Sequence, residues 1–249
     1  MCPFIYILGR PISLYGICAV LAFAAVIVLA ILYARKHGLP FESILIVTAM
    51  AIGVGLVSAN ILYIFVTYPL DLLGLMIQHG DWSFLGKGYV FYGGLIGGLL
   101  GALWGAKLAK RRLWELEDSL VPYAPLGQAI GRVGCVLAGC CNGIPYEGPL
   151  ALHYPHDPAV GYFPTQLLEA LLNCGLCLGL IWYRKKQRRP YRMTLAYLIG
   201  YSVIRFFVEY LRGDSIRGIF GGVSTSQWIS LGLLLCCIPL WIFTGKKEK

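Results

Sequence analysis

The apolar residues of this chain gather into long stretches separated by short polar connections. About 20 consecutive apolar residues make a helix long enough to cross a hydrocarbon core. By that measure the pattern predicts seven spans, roughly Pro11 to Tyr33, Ser43 to Tyr68, Tyr89 to Ala109, Glu117 to Cys140, Thr165 to Tyr183, Met193 to Leu211 and Ser226 to Phe243. The fourth is interrupted by Pro122, Pro125, Gly127, Gly131 and Gly134. Broken backbone at membrane depth survives only where protein or a wet cavity satisfies its freed polar groups, so this span is the first place to look for a site. No soluble domain, low-complexity segment or internal repeat stands out. The expectation is an all-α membrane protein forming one polytopic domain over residues 1–249.

Composition supports lipid as the solvent. The 249 residues are 58% hydrophobic and only 13% charged, with a mean hydropathy of +0.70. A soluble domain carries about 25% charged residues, and one this apolar would expose patches too large for water. The net charge of +9 raises nucleic acid as a partner, but that requires the basic residues to gather on one soluble face.

Their positions say otherwise. Arg35 and Lys36 follow the first span. Lys107, Lys110, Arg111 and Arg112 follow the third, and Arg184, Lys185, Lys186, Arg188, Arg189 and Arg192 the fifth. Lys246, Lys247 and Lys249 end the chain. These fifteen of the 21 basic residues fall on one side of a seven-span arrangement, whereas Arg10, Lys87, Arg212 and Arg217 fall on the other. Basic residues flanking spans mark the cytoplasmic side, so the expected topology is N-terminus outside and C-terminus cytoplasmic. No nucleic-acid partner is expected. The first apolar run is too long for a secretory signal and lacks both a cationic start and a small-residue cleavage site. Trp82, Tyr89, Tyr162 and Trp228 at outer span ends, with Trp104, Trp114, Trp182 and Trp241 at inner ones, agree with these boundaries.

Of the nine cysteines, Cys174 and Cys177 lie within the fifth span and Cys236 and Cys237 within the seventh, where small soft side chains serve packing. Cys135, Cys140 and Cys141 differ, because they surround the outer end of the broken fourth span. An oxidising outer face permits a disulfide there. Adjacent cysteines do not easily bridge each other, and no histidine-rich set with zinc spacing accompanies them, so no metal is expected.

Ionisable residues inside spans are costly and point to function. The fourth span carries Arg132; the sixth carries Arg205 and Glu209, four apart and so on one helical face, with Arg212 three residues later. A structural Arg205–Glu209 ion pair is the plain explanation, but it leaves one of two buried positive charges unmatched. By the expected topology Arg132, Arg205, Glu209 and Arg212 share the outer half of the bilayer with Tyr15 of the first span and Tyr92 of the third. That is the depth of phospholipid phosphates, and a planar guanidinium that stays charged holds two phosphate oxygens at once. In FYGGLIGGLLGALWG, Phe91 to Gly105, glycines four apart favour close helix packing. Gly93 and Gly94 also leave backbone amides open to an anion.

Five stretches carry a resemblance: FYGGLIGG (Phe91 to Gly98), PLGQAIGRVGCVLAGCCNG (Pro125 to Gly143), PTQLLEA (Pro164 to Ala170), RFFVEYLRGD (Arg205 to Asp214) and STSQWISL (Ser224 to Leu231). Together they resemble the prolipoprotein diacylglyceryl transferase family, which has seven spans and an outward N-terminus. The resemblance implies an enzyme of the bacterial cytoplasmic membrane. It would move the diacylglyceryl unit of phosphatidylglycerol onto the lipobox cysteine thiol of an exported prolipoprotein, forming a thioether and releasing glycerol phosphate, with no cofactor. By position, Arg132 matches the arginine of the family's GRxG motif, Arg205, Glu209 and Arg212 match its sixth-span charged set, and Tyr15 matches a first-span tyrosine.

The expected roles follow. Arg132 and Arg205 grip the phosphate, Glu209 orients Arg205, and Tyr15, Gly93, Gly94 and Arg212 complete the lipid site. Tyr92 stands where many members have histidine, Cys135 and Cys140 where asparagine and glutamate are usual, and Phe163 where histidine often precedes PTQL. The general base is therefore unassigned, with Tyr92 the candidate. Two other functions compete. A transporter or translocating protein for anionic phospholipid would use the same arginines, although the chain lacks repeated broken helices in two halves. A family member without chemistry would bind lipid or preprotein alone.

Overall fold

A computed structural model describes residues 4–7, 10–82, 84–85, 88–155, 157–185, 190–213, 219–220 and 223–245. Lys87, Lys186, Arg188, Arg189, Asp214, Arg217, Lys246, Lys247 and Lys249, which entered the topology and motif readings, lie outside the described residues. The helices are α1 (Leu14–Lys36), α2 (Phe41–Thr67), α3 (Leu70–Gln78), α4 (Phe91–Leu108), α5 (Leu113–Leu120), α6 (Ala124–Ala138), α7 (Thr165–Arg184), α8 (Arg192–Val208) and α9 (Thr225–Gly245). Three antiparallel hairpins accompany them: β1 (Phe4–Ile7) with β2 (Arg10–Ser13), β3 (Leu152–Tyr154) with β4 (Asp157–Tyr162), and β5 (Ile219–Phe220) with β6 (Val223–Ser224).

Among the described residues, five helices are long and apolar enough to cross a membrane: Leu14–Lys36, Phe41–Thr67, Thr165–Arg184, Arg192–Leu211 and Thr225–Thr244. Their outward faces carry exposed Val20, Leu21, Leu56, Val57, Leu171 and Leu178, an apolar surface that water would not tolerate. The other two expected spans are shorter. α4 has 18 residues, about 27 Å of helix at 1.5 Å per residue. The fourth span is not one helix. Pro122 lies in a single 3-10 turn over Val121–Tyr123, and Pro125 occupies the first turn of α6, because proline lacks an N–H and fits a helix only at its start. The 15 residues of α6 rise about 22 Å, short of a hydrocarbon core of about 30 Å.

Two elements depart from the expected pattern. The apolar run of the first span begins at Pro11, yet residues 10–13 pair with 4–7 and the helix starts at Leu14. A proline suits that extended edge better than a helix interior. α3, a nine-residue helix after Pro69, was not anticipated; it is too short to register as an apolar run.

The chain divides into two compact units, Ile31–Leu116 and the combination of Met1–Ala30 with Glu117–Lys249. In the first, α2 packs against α4. The contact is made by backbone approach: a β-carbon at Gly93, Gly97, Gly101 or Gly105 would come within 3.0 Å of Ser58, Met50 or Val47. This is the small-residue packing that helices use in lipid, where no hydrophobic drive brings them together. In the second unit α7 packs between α6 and α8, and α8 packs on α9. One end of that bundle is tied by Arg184, which donates to the Asp118 carbonyl at 2.9 Å and lies over the Tyr123 ring. There too the Thr194 hydroxyl donates to Glu117 at 2.8 Å.

Candidate functional site

α7 has a polar stripe facing inward. Thr165, Gln166, Glu169, Ala170, Asn173, Cys177 and Leu180 are its buried residues, and their spacing of three or four places them on one helical face. A carboxylate in that position cannot stay charged without partners. Glu169 is 1% exposed, and arginines from both neighbouring elements reach it.

Arg132 Nη2 of α6 lies 2.8 Å from Glu169 Oε1. Arg205 Nη1 of α8 lies 3.6 Å from Glu169 Oε2, and Arg212 Nη1 lies 4.0 Å from the same oxygen. Glu209 supplies the second carboxylate, 2.7 Å from Arg205 Nη2 and 3.9 Å from Arg212 Nε. Arg205 also donates to the Ser226 hydroxyl at 3.2 Å. Three guanidiniums and two carboxylates leave one net positive charge, held among largely buried side chains with Arg205 itself only 7% exposed. Such a centre attracts an anion, and its donors are already in place before one arrives.

The backbone around Arg212 is fixed with equal care. After α8 the chain makes one 3-10 turn over Glu209–Leu211 and then runs extended. Gly143 bridges to Arg212, the Ile144 amide donates to the Leu211 carbonyl at 3.0 Å, and the Gly213 amide donates to the Asn142 carbonyl at 3.1 Å. The Thr165 hydroxyl at the start of α7 donates to that same Leu211 carbonyl at 2.9 Å. Gly143 is required for space, since a β-carbon there would collide with the Thr165 hydroxyl and the Phe163 carbonyl. The start of α7, the end of α8 and the segment after α6 are thus tied together beneath the charges.

Of the expected site residues, the structure brings together Arg132, Arg205, Glu209 and Arg212. Tyr15, in the first turn of α1, packs on α6 near Arg132, its ring 3.3 Å from where a β-carbon at Gly134 would stand. Gly93 and Gly94 belong to the other unit, in the first turn of α4, where Gly93 faces the backbone of Ser58 and Ala59. Tyr92 opens the same turn, and its side chain lies outside the described residues. The Arg205–Glu209 pair is present as its spacing predicts. Glu169 was missed. It was legible as a lone carboxylate in an apolar run, within the PTQLLEA stretch, but only the fold shows that it balances the second arginine.

The three cysteines at the end of α6 also converge. Gly139 takes a left-handed conformation, φ +70°, as the residue closing a helix often does. The chain then folds back, and the sulfurs of Cys135, Cys140 and Cys141 all lie within 4.8 Å of one another. The Gln166 amide fixes this turn by donating to the Cys140 carbonyl at 2.8 Å and to the Tyr154 hydroxyl at 3.0 Å. The Cys140 thiol donates to the Cys135 carbonyl at 3.7 Å, and the Arg212 guanidinium lies against Cys141.

Comparison with known proteins identifies the family. The model of the family described as prolipoprotein diacylglyceryl transferase matches residues 3–243. A phosphatidylglycerol--prolipoprotein diacylglyceryl transferase 2 of Clostridium perfringens (strain 13 / Type A) is 34% identical over 251 residues, spanning 98% of this chain and 94% of that protein. A phosphatidylglycerol--prolipoprotein diacylglyceryl transferase of Clostridium tetani (strain Massachusetts / E88) is 32% identical, spanning 94% of this chain and 93% of its own. Another, of Clostridioides difficile (strain 630), is 29% identical over 97% of this chain and 94% of that protein. With a match across almost its whole length, the chain belongs to the prolipoprotein diacylglyceryl transferase family.

Proposed function

We propose that this chain transfers the diacylglyceryl group of phosphatidylglycerol to the lipobox cysteine thiol of exported prolipoproteins, the first step of bacterial lipoprotein maturation. The observation that carries this reading is the buried convergence of Arg132, Arg205 and Arg212 on Glu169 and Glu209, with one positive charge to spare. The names of the relatives supply the substrates.

The chemistry asks for such a centre. A cysteine thiol has a pKa near 8.5 and attacks as the thiolate. It forms a carbon–sulfur bond at the glyceryl carbon bearing the phosphate. The carbon–oxygen bond breaks, and glycerol phosphate leaves with charge developing on the phosphate. Arg132 and Arg205 hold that phosphate, with Arg212 beside them. Glu209 orients Arg205, and Glu169 positions all three guanidiniums. Fixed donors of this kind contribute about 3 to 4 kcal/mol each to such a step. Tyr15 extends the lipid site in this reading, and Tyr92, Gly93 and Gly94 keep the roles that the family resemblance implies for them, Tyr92 as the candidate base.

The same reading places the protein in the bacterial cytoplasmic membrane as one polytopic domain of seven spans, N-terminus outside and C-terminus inside. The arginine cluster then lies at the depth of outer-leaflet headgroups. Incubating purified protein with phosphatidylglycerol and a lipobox peptide tests it. The expected product is a thioether-linked diacylglyceryl adduct detected by mass spectrometry. Lipid movement without an adduct would replace the reading with a translocating protein, and binding alone with a non-catalytic one.

A further inference from the structure

The lipid chemistry makes no use of Cys135, Cys140 and Cys141, yet the fold spends a left-handed glycine, a left-handed Cys141 with φ +63°, and the Gln166 hydrogen bonds on bringing them together. We propose that these three thiols form a binding site for one thiophilic metal ion of the Zn2+ or Cu+ kind. Their spacing alone gave no reason to expect this, because no histidine accompanies them. The convergence does.

The geometry is close to what such an ion requires. Zinc–sulfur bonds of about 2.3 Å set neighbouring sulfurs about 4 Å apart. The sulfurs here already lie within 4.8 Å of one another, so side-chain rotations of a few tenths of an ångström close the site. Thiolate sulfur is the ligand that selects Zn2+ and Cu+ over harder ions. Cys135 is buried, Cys141 partly covered and Cys140 exposed, which leaves an entry path on the Cys140 side. Two of the three ligands are neighbours in sequence and pair poorly as a disulfide.

Charge is also met. Binding releases the thiol protons to solvent and leaves three thiolates around the ion, a net charge of −1 with Zn2+ and −2 with Cu+. Arg132, on the same face of α6 as Cys135, and Arg212, against Cys141, supply opposite charge. The bound ion would lock the turn that continues into Asn142 and Gly143, the residues paired with Gly213 and Arg212. Its role is to stiffen the support of the arginine cluster, and its test does not depend on lipid transfer.

Full-length protein in detergent, reduced and stripped with a chelator, is titrated with Zn2+ and in parallel with Cu+. Elemental analysis and chelator competition read stoichiometry and affinity. One ion per chain is expected, in either arm, with a rise in melting temperature. Cys135→Ser, Cys140→Ser and Cys141→Ser should each weaken binding at least about 100-fold, the upper end of what losing even an outer partner costs. Cys236→Ser should leave it unchanged. If a serine variant does not fold, Cd2+ titrated into the unaltered protein reads the thiolate count directly from its charge-transfer absorption, and fewer than three overturns the site. Absence of a retained ion overturns it too, as does binding that survives all three substitutions. So does a disulfide within the cluster in protein taken from the membrane, if the reduced form then takes up no ion.

Discussion

The α2–α4 contact and the α6–α7–α8 contact solve the same problem in opposite ways. In lipid, apolar side chains gain nothing by leaving the solvent for a neighbouring helix, so association needs close backbone packing or polar links. α2 and α4 use the first. Gly93, Gly97, Gly101 and Gly105 let the backbones approach until a β-carbon would collide, and no charge takes part in those approaches. α6, α7 and α8 use the second, joined through Glu169 by Arg132 and Arg205. A glycine seam does nothing except hold. A buried charge network holds and also stores an electrostatic field, which is why the proposed chemistry is assigned to the second contact.

The sharpest way to break this contrast is Glu169→Ala. It leaves Arg132 unpaired among the described residues and strips Arg205 of one carboxylate, so the protein should lose about 3 to 5 kcal/mol of stability, as when one partner of a buried pair is removed. Thermal unfolding reads this. Glu169→Gln keeps the volume and removes the charge. It should retain helicity while adduct formation falls by about 10² to 10³-fold, the scale of one lost electrostatic contributor. Arg132→Ala and Arg205→Ala should fall by a similar factor in the same mass-spectrometric assay. Normal transfer by both would end the phosphate-binding assignment.

Gly101→Leu should behave differently. Forcing a side chain into the Met50 backbone costs about 1 to 3 kcal/mol of stability, the range for overpacking, and transfer per folded molecule should be unchanged. A loss of turnover equal to that of Glu169→Gln, at intact fold, would erase the distinction between the two contacts. Among the site variants, Tyr92→Phe should have the smallest effect on turnover if the phenol only hydrogen-bonds lipid. A lost hydrogen bond of about 1 kcal/mol lowers the rate by roughly fivefold to tenfold. A fall beyond about 10³-fold would instead mark Tyr92 as the base, since general-base contributions reach about 10² to 10⁴. Unchanged turnover excludes the phenol as base.

Much of the helical layout could be read in advance. Five predicted spans correspond to helices of crossing length, and the break in the fourth falls at Pro122, as the residue type dictates. α3 and the β1–β2 hairpin were not read, because each is shorter than the window over which apolar runs become visible. The Arg205–Glu209 pair was legible because both residues sit on one helix, where spacing is geometry. Glu169 was overlooked because its partners are contributed by α6 and α8, and its own helix offers no i, i+4 cation to draw attention to it. The thiol cluster was half visible: the cysteines were singled out, but the turn at Gly139 that closes them together was not anticipated.

By itself the sequence determined the solvent, the approximate spans and the identity of the charges that enter them. Those are properties of consecutive residues, set by transfer free energy and helical period. Only the tertiary structure decided which acid meets which base. Packing α7 between α6 and α8 delivers one carboxylate to three arginines, and Coulombic pairing depends on separation in space, to which distance along the chain is no guide.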